Sequence, residues 1–332
     1  MATSGTIAQT VVSVETILSH AFTMCGKLPS MVSGEQLAKA REALYFTLAD
    51  LTNEGLSLWC MVKSVLNVVP YQVAYQLPVG TNDVTNMLYR SLLPQAGVTV
   101  LDGAAAQVEL TQATPIDNVA GRFSAGGVIG LQVSWSEDGV TWNVLTQLNA
   151  VEVDADSNFT IDLDNTANAK FWRLDDWSES TDLPTLADVQ FRRVSQELTM
   201  AQLNRDDYVN LPNKRYPGAK ALQYWFDKQI EPRVYVWPQP TGNVDQIVMW
   251  SEQQIQDPGQ LTNELAVPAR WYRAVLGRMA YQLAFRIPAS ELPPGRLAEL
   301  KAEADEAMIS ATDGESDMAP MQLAPRIGVY TR

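Results

Sequence analysis

Histidine is almost missing from this chain of 332 residues, occurring once, at His20, and cysteine occurs only at Cys25 and Cys60. One histidine without partners leaves no Ser/His/Asp arrangement and no HExxH zinc helix. Two cysteines spaced this far apart make neither a CxxC motif nor a disulfide framework, so both are expected to be reduced packing residues. There is no Gly-rich phosphate loop. No stretch approaches the ~20 apolar residues of a membrane span, and the first residues, MATSGTIAQTVVSVET, lack the basic start and apolar run of a secretory signal. The expectation is a protein that is not an enzyme, with no cofactor, no metal and no membrane partner, in which His20 is structural or exposed. Two weaker patterns point the same way. Asp206 and Asp207 are paired carboxylates, but sequence neighbours usually point apart, and a solvated loop is expected there. Asp154-Ala155-Asp156-Ser157-Asn158 starts like a calcium loop, yet Phe159 replaces the required glycine and Asn165 the bidentate glutamate, so an acidic turn is expected.

Basic residues are scarce in one block only. Residues 95–190 carry 15 acidic and 3 basic side chains, or −12 of the net −14, while the remainder is nearly neutral. That asymmetry predicts a separate domain, and one with no affinity for nucleic acid, which needs clustered Lys and Arg. With 46% hydrophobic residues and 19% charged ones, the chain has material for packed cores, and its length suggests about two domains.

Helical spacing marks the two ends. Val14, Ile17, Leu18 and Phe22 share a face over residues 11–26. Ser33 and Gln36 form a capping-box pattern before an amphipathic helix at 34–54, with Leu37, Ala40, Leu44, Leu48 and Leu51 in its stripe and Gly55 as its C-cap. Beyond Pro268, Trp271, Val275, Leu276, Met279 and Leu283 form another stripe, stopped at Ile287-Pro288. A last helix is expected over 296–310, followed by an acidic linker at 312–317 and a tail at 318–332. Strands are expected at 62–69, 72–77 and 84–93, paired in one small sheet with 234–237 and 244–250.

The acidic block reads as all-β, with short alternating runs between Gly, Asp and Asn at 107–111, 128–134, 144–148, 159–163, 171–174 and 189–193. Val133-Ser134-Trp135-Ser136-Glu137-Asp138-Gly139-Val140-Thr141-Trp142 reads as a hairpin turning at Asp-Gly. With Ala169-Lys170-Phe171-Trp172-Arg173-Leu174, this run resembles discoidin-type, galactose-binding-like jelly rolls. Trp135, Trp142 and Trp172 are expected to pack in the core; Trp142 and Trp177 would form a glycan platform if exposed beside carboxylates.

Residues 198–238 run from Asn204-Arg205-Asp206-Asp207-Tyr208 through the loop signals Leu211-Pro212 and Pro217-Gly218 to Tyr224-Trp225-Phe226 and Val234-Tyr235-Val236-Trp237-Pro238. The run LNRDDYVNLPNK…YWFDKQ…PRVYVWPQP, with helical segments on both sides, resembles the head-to-tail adaptors of short-tailed bacteriophages over residues 11–93 and 198–308. That resemblance implies a helical-bundle adaptor domain with a small antiparallel sheet (residues 1–94 and 191–317) ending in an extended arm (318–332); the all-β block (95–190) lies outside it and is expected as an inserted sandwich, so the fold class expected for the chain is α+β. The resemblance implies a structural virion protein at the head-to-tail interface, assembled in the host cytoplasm as a ring of 12 copies. Its partners would be the portal protein, a tail nozzle or tube protein, its own copies, and double-stranded DNA passing through the lumen without specific binding. Met321, Leu323, Ile327, Val329 and Tyr330 would grip the portal. Tyr224, Trp225, Phe226, Tyr235 and Trp237 would lie in the core or in a subunit contact. The alternative is a glycan-binding virion or surface protein acting through the β-sandwich.

Overall fold

A computed structural model describes residues 12–53, 58–102, 105–125, 127–153, 157–165, 167–176, 185–255, 257, 259–288 and 292–315. The chain divides into two compact units: Met1–Val62 with Gly80–Asp83 and Ser251–Arg332, and Lys63–Val79 with Val84–Trp250. In chain order the helices are α1 (Val14–Met24), α2 (Gly34–Asn53), the short α3 (Arg205–Val209), α4 (Tyr272–Ala284) and α5 (Arg296–Glu315).

The first unit is helical. Ser13 caps α1, its Oγ accepting from Thr16 N at 3.3 Å. At α2 the capping box is reciprocal: Ser33 Oγ accepts from Gln36 N, and Ser33 N donates to Gln36 Oε1. α1, α2, α4 and α5 enclose one core of Leu18, Phe22, Leu44, Leu48, Trp271, Val275, Met279 and Leu300, among others. Each such side chain contributes roughly 1.5–3 kcal/mol by leaving water. Gly277 lets α4 and α5 touch, because a Cβ there would meet Ala304 Cα at 3.1 Å. α5 continues to Glu315, through most of the expected acidic linker. Nothing in Thr312-Asp313-Gly314-Glu315 breaks the backbone ladder, and Thr312 Oγ1 donates back to Met308 O. Cys25 and Cys60 are both buried and neither is in a disulfide. Burial pushes the Cys25 thiol up to about 11, against smaller opposing effects of Arg296 and Lys27. His20 is exposed on α1.

Among the described residues strand outweighs helix. The strands are β1 (Met61–Asn67), β2 (Ala74–Gln76), β3 (Thr81–Pro94), β4 (Gly97–Asp102), β5 (Ala105–Thr114), β6 (Asn118–Phe123), β7 (Gly127–Ser136), β8 (Asn143–Val153), β9 (Asn158–Asp162), β10 (Ala169–Asp176), β11 (Leu186–Thr199), β12 (Ala201–Gln202), β13 (Pro217–Gly218), β14 (Gln223–Asp227), β15 (Arg233–Trp237), β16 (Gln239–Pro240) and β17 (Gln246–Gln253). They form a six-stranded sheet β1-β17-β3-β11-β6-β9, a five-stranded sheet β4-β5-β10-β7-β8, a four-stranded sheet β12-β14-β15-β2 and the pair β13-β16. The single small sheet expected from the sequence is therefore two. β2 pairs with β15, whereas β1 and β3 flank β17. The break between them is the Val69–Val73 turn, where Tyr71 adopts φ 64°.

The long strand β11 runs across residue 190 and serves two cores. Leu186, Val189 and Phe191 join Val119, Phe123, Phe159, Leu131 and Trp172 between the six- and five-stranded sheets. Just after β11, Met200 joins Met87, Tyr89, Tyr224, Phe226, Val234 and Val236 in a second core against the four-stranded sheet. Of the expected fold, the all-β sandwich in the middle of the chain is present, in a chain that is mostly β. Trp172, fully buried, anchors the sandwich; it lies opposite Val108 and Trp135, and its indole donates to Ala169 O at 3.1 Å.

Candidate functional site

Strand alternation decides which side chains the sandwich shows to water. Along β6, Val119 and Phe123 enter the core, so Asn118, Ala120 and Arg122 face the other way. Phe159 and Ile161 do the same on β9, leaving Asn158, Thr160 and Asp162 on the outer side. On β11, Val189 and Phe191 enter, leaving Asp188, Gln190 and Arg192 outside. The registers align these residues into three rows across β9, β6 and β11: Asn158-Arg122-Asp188, Thr160-Ala120-Gln190 and Asp162-Asn118-Arg192. The middle of the grid is Ala120, a small residue among long polar ones. Beside it, Gly121 is obligatory, because a Cβ would meet Asp188 O at 2.3 Å.

All of the grid except Asn118 and Asp162 forms the floor of an open trough of about 980 Å³. Asn67, Asn243, Val244 and Asp245 form one wall, and Gly127, Val128 and Val153 close another side. All of these residues belong to the second unit. The trough exists because the six-stranded sheet curls: Gln246 on β17 donates to Asp162 Oδ1 on β9 at 2.9 Å, although three strands separate them in the sheet order. Asn118 Nδ2 donates to the same oxygen at 2.9 Å, and Gln246 Nε2 also approaches Asn67 Oδ1 at 3.3 Å. The amides of Asn118 and Gln246 are buried, which makes this row a fixed latch at one end of the trough.

Polar groups in the trough fall into two sets. Some are held: Asp245 accepts from Tyr89 Oη at 2.8 Å and from Leu92 N at 3.3 Å. The Arg192 guanidinium is pinned through Nε and Nη2 on Gln190 Oε1. Burial lowers the Arg192 pKa, and Asp188 and Asp245 oppose that shift. Burial, followed by the bond to Asp245, raises the Tyr89 hydroxyl far above its usual range. Others are available: Arg122 and Asp188 stand opposite each other on adjacent strands, both exposed, and no ion pair joins them. Two guanidinium and two carboxylate groups balance the charge of the lining.

The residues singled out from the sequence lie elsewhere. Trp142 is half-buried, with the Arg173 guanidinium 4.5 Å from its ring centre, so one face is covered. Arg173 Nε also donates to Asp175 Oδ2. Trp135 packs half-buried on the sandwich core. Trp177 and residues 154–156 lie outside the described residues, as do Met321, Leu323, Ile327, Val329 and Tyr330. Tyr224 and Phe226 are buried in the second core. Trp225 and Tyr235 stack at 5.0 Å, and both contact Tyr208 of α3. Trp237 is half-buried, and its indole donates to Asn213 O at 2.9 Å. Asp206 and Asp207 lie in the first turn of α3, where Asn204 caps Asp207 N. They are stabilising N-terminal charges of a short helix, in place of the solvated loop expected from the sequence.

Sequence reasoning passes over Arg122, Asp188, Gln190, Thr160 and Arg192. Their signal is present: each alternates with core residues in a segment rich in β-branched or aromatic side chains. Alternation alone does not show that three distant strands lie side by side.

No family model matches the chain, and no curated protein does. Among solved structures, a pectin-binding carbohydrate-binding module aligns at 11% identity, covering 35% of this chain and 93% of that one, with a TM-score of 0.23. CBM32 of AlyQ, in complex with 4,5-unsaturated mannuronic acid, aligns at 10% identity over 33% and 96%, with a TM-score of 0.23. CBM32-3 from a family 31 glycoside hydrolase of Clostridium perfringens aligns at 16% over 38% and 89%, with a TM-score of 0.22. Of the whole Ruminococcus gnavus GH29 fucosidase, the aligned part is only 20%. These findings correct the head-to-tail adaptor expected from the sequence. The structures just named are carbohydrate-binding β-sandwich modules or an enzyme of which only a part aligns, and none of them is a phage connector.

Proposed function

We propose that this chain is a carbohydrate-binding protein and that the trough on the outer face of β6, β9 and β11 receives the glycan. The observation that carries this reading is the three-by-three grid, with its unbridged Arg122 and Asp188 beside the small floor of Ala120 and Gly121. A sugar ring presents hydroxyl groups around its rim and C–H groups on its faces. It needs paired donors and acceptors at short spacing and a shallow surface beneath. Asp188 accepts from two neighbouring hydroxyls, and Arg122 donates to a ring or hydroxyl oxygen; bonds to charged partners are the stronger ones. Ala120 and the backbone of Gly121 give the ring face a place to rest. The latch of Asn118, Asp162 and Gln246 holds the grid in shape before ligand arrives, which reduces the ordering cost of binding. The balanced charge favours an uncharged glycan over a polyanion. No reacting step is assigned to these residues; the role is recognition.

Titration of the full chain against a panel of neutral and acidic oligosaccharides, read by calorimetry and amide chemical shifts, tests the reading. Binding of a neutral member, with shifts confined to β6, β9 and β11, is expected. Asp188→Asn should weaken it by about tenfold, the scale of one charge-assisted hydrogen bond. Binding that leaves these strands unshifted, or no binding across the panel, would refute the assignment.

A further inference from the structure

Exposed sheet edges are templates for another strand, and natural proteins blunt them with charge, bulges or brevity. Most edges here are blunted in that way. β1 carries Lys63, and β9 is five residues long and ends in Asp162. β2 and β12 have three and two residues. β8, at one side of the five-stranded sheet, pairs with β7 through two register shifts. β4, at the other side of that sheet, has no bulge, and its one charge is Asp102 at its last residue. It pairs with β5 in unbroken register from Gly97 to Asp102, and Gly97-Val98-Thr99-Val100-Leu101 contains no charge and no proline. Val98, Val100 and Leu101 are 70%, 61% and 44% exposed, in the most acidic block of the chain.

We propose that β4 is a self-association strand, which pairs antiparallel with β4 of a second copy and joins the two five-stranded sheets into one. The segment is complementary to itself about a two-fold axis at Thr99. In that register Val98 faces Val100 of the other copy, twice, on the side where the β5 partners are Glu109 and Gln107. Thr99 faces Thr99 on the opposite side. Gly97 faces Leu101, so the largest side chain of the strand meets the absence of one. Paired β-branched residues and a Thr–Thr contact are among the favourable cross-strand combinations, and no like charges meet. A two-fold interface of this kind closes on itself and stops at two copies. The pairing does not depend on what the trough binds. It places two troughs in one particle, however, so a polymeric ligand would be held at both.

Analytical ultracentrifugation of the full chain over a concentration series tests the pairing. A reversible monomer–dimer equilibrium is expected. The double variant Val98→Lys with Val100→Lys sets lysine against lysine in both valine pairs and should raise the dimer dissociation constant by about tenfold or more, with an unchanged circular-dichroism spectrum. Directly opposed residues have Cα atoms about 4.5–5.5 Å apart, within disulfide range. Thr99→Cys should therefore cross-link two copies under mild oxidation, whereas Val98→Cys should not. Monomer at every concentration, a dimer indifferent to the two lysines, or cross-linking at position 98 in place of 99 would each overturn the proposal.

Discussion

Two sheet faces of the second unit are built by the same alternation and end differently. On β14 and β15, Tyr224, Phe226, Val234 and Val236 enter the core, and Trp225, Tyr235 and Trp237 face away from it. On β6, β9 and β11 the core-facing row is equally apolar, but the row facing away is Arg122, Asn158, Thr160, Asp188 and Gln190. The aromatic face is covered: Tyr208 of α3 packs on Trp225 and Tyr235, and the loop carbonyl of Asn213 takes the Trp237 indole proton. The polar face is left open as the trough. Large aromatic side chains facing away from a core bring their own cover, because leaving them wet forfeits burial energy. Polar ones stay solvated without cost, so only the polar face remains available to a ligand.

That contrast is broken most strongly from the buried side. Phe226→Ala should lower unfolding free energy by about 3–5 kcal/mol, the range for a large aromatic lost from a core, measured by urea denaturation. Trp225→Ala, on the covered face, should cost about 1–3 kcal/mol, because it removes two ring contacts and partial burial. A Trp225 variant as stable as the parent would mean that the aromatic face is open after all and competes with the trough as a binding surface.

Part of this is legible in the sequence. Helical spacing locates α1, α2, α4 and most of α5, and the Ser33/Gln36 box marks the start of α2. The all-β character of the acidic block is readable from its turn residues and alternation. Two things are not. Asn204 with Asp207 is a cap signal, but five residues of α3 are too few to show a periodic stripe. The trough depends on register: Arg122 opposite Asp188, and Asn158 opposite Arg122, are facts about strands dozens of residues apart. Tryptophan draws attention to Trp142, whose ring is capped by Arg173. The adaptor resemblance rests on the aromatic stretch 198–238, and those aromatics are occupied in packing within their own unit.

The trough wall offers a pH test. Tyr89 donates to Asp245, and burial and that bond raise its pKa above the ordinary value of 10.0. A raised pKa means that the folded state favours the protonated hydroxyl. The stabilisation is therefore complete below pH 10 and is lost as pH rises towards the folded value, because the unfolded tyrosine ionises first. Stability should fall with increasing pH above about 10 in the parent, and Tyr89→Phe should flatten that part of the profile. At neutral pH the same variant should cost about 1–2 kcal/mol, the scale of a hydrogen bond to a charged partner.

The smallest effect on stability is expected at Arg122, and it separates scaffold from site most cleanly. The side chain is exposed, stands opposite Asp188 without an ion pair, and faces away from the sandwich core. An exposed residue with no bonded partner contributes little to folding, so Arg122→Ala should leave the unfolding free energy within about 0.5 kcal/mol of the parent. In the proposed role its guanidinium meets a glycan oxygen, and its removal should weaken glycan binding about tenfold or more. Arg122→Lys keeps the charge but loses the planar fork, and should recover only part of the affinity. Circular-dichroism melts and calorimetric titrations on the three proteins supply both axes. If stability fell sharply in Arg122→Ala, the residue would belong to the scaffold like Phe226. If stability and affinity both stayed at the parental values, the polar face would be solvated surface, and the distinction between the two faces would have no functional meaning.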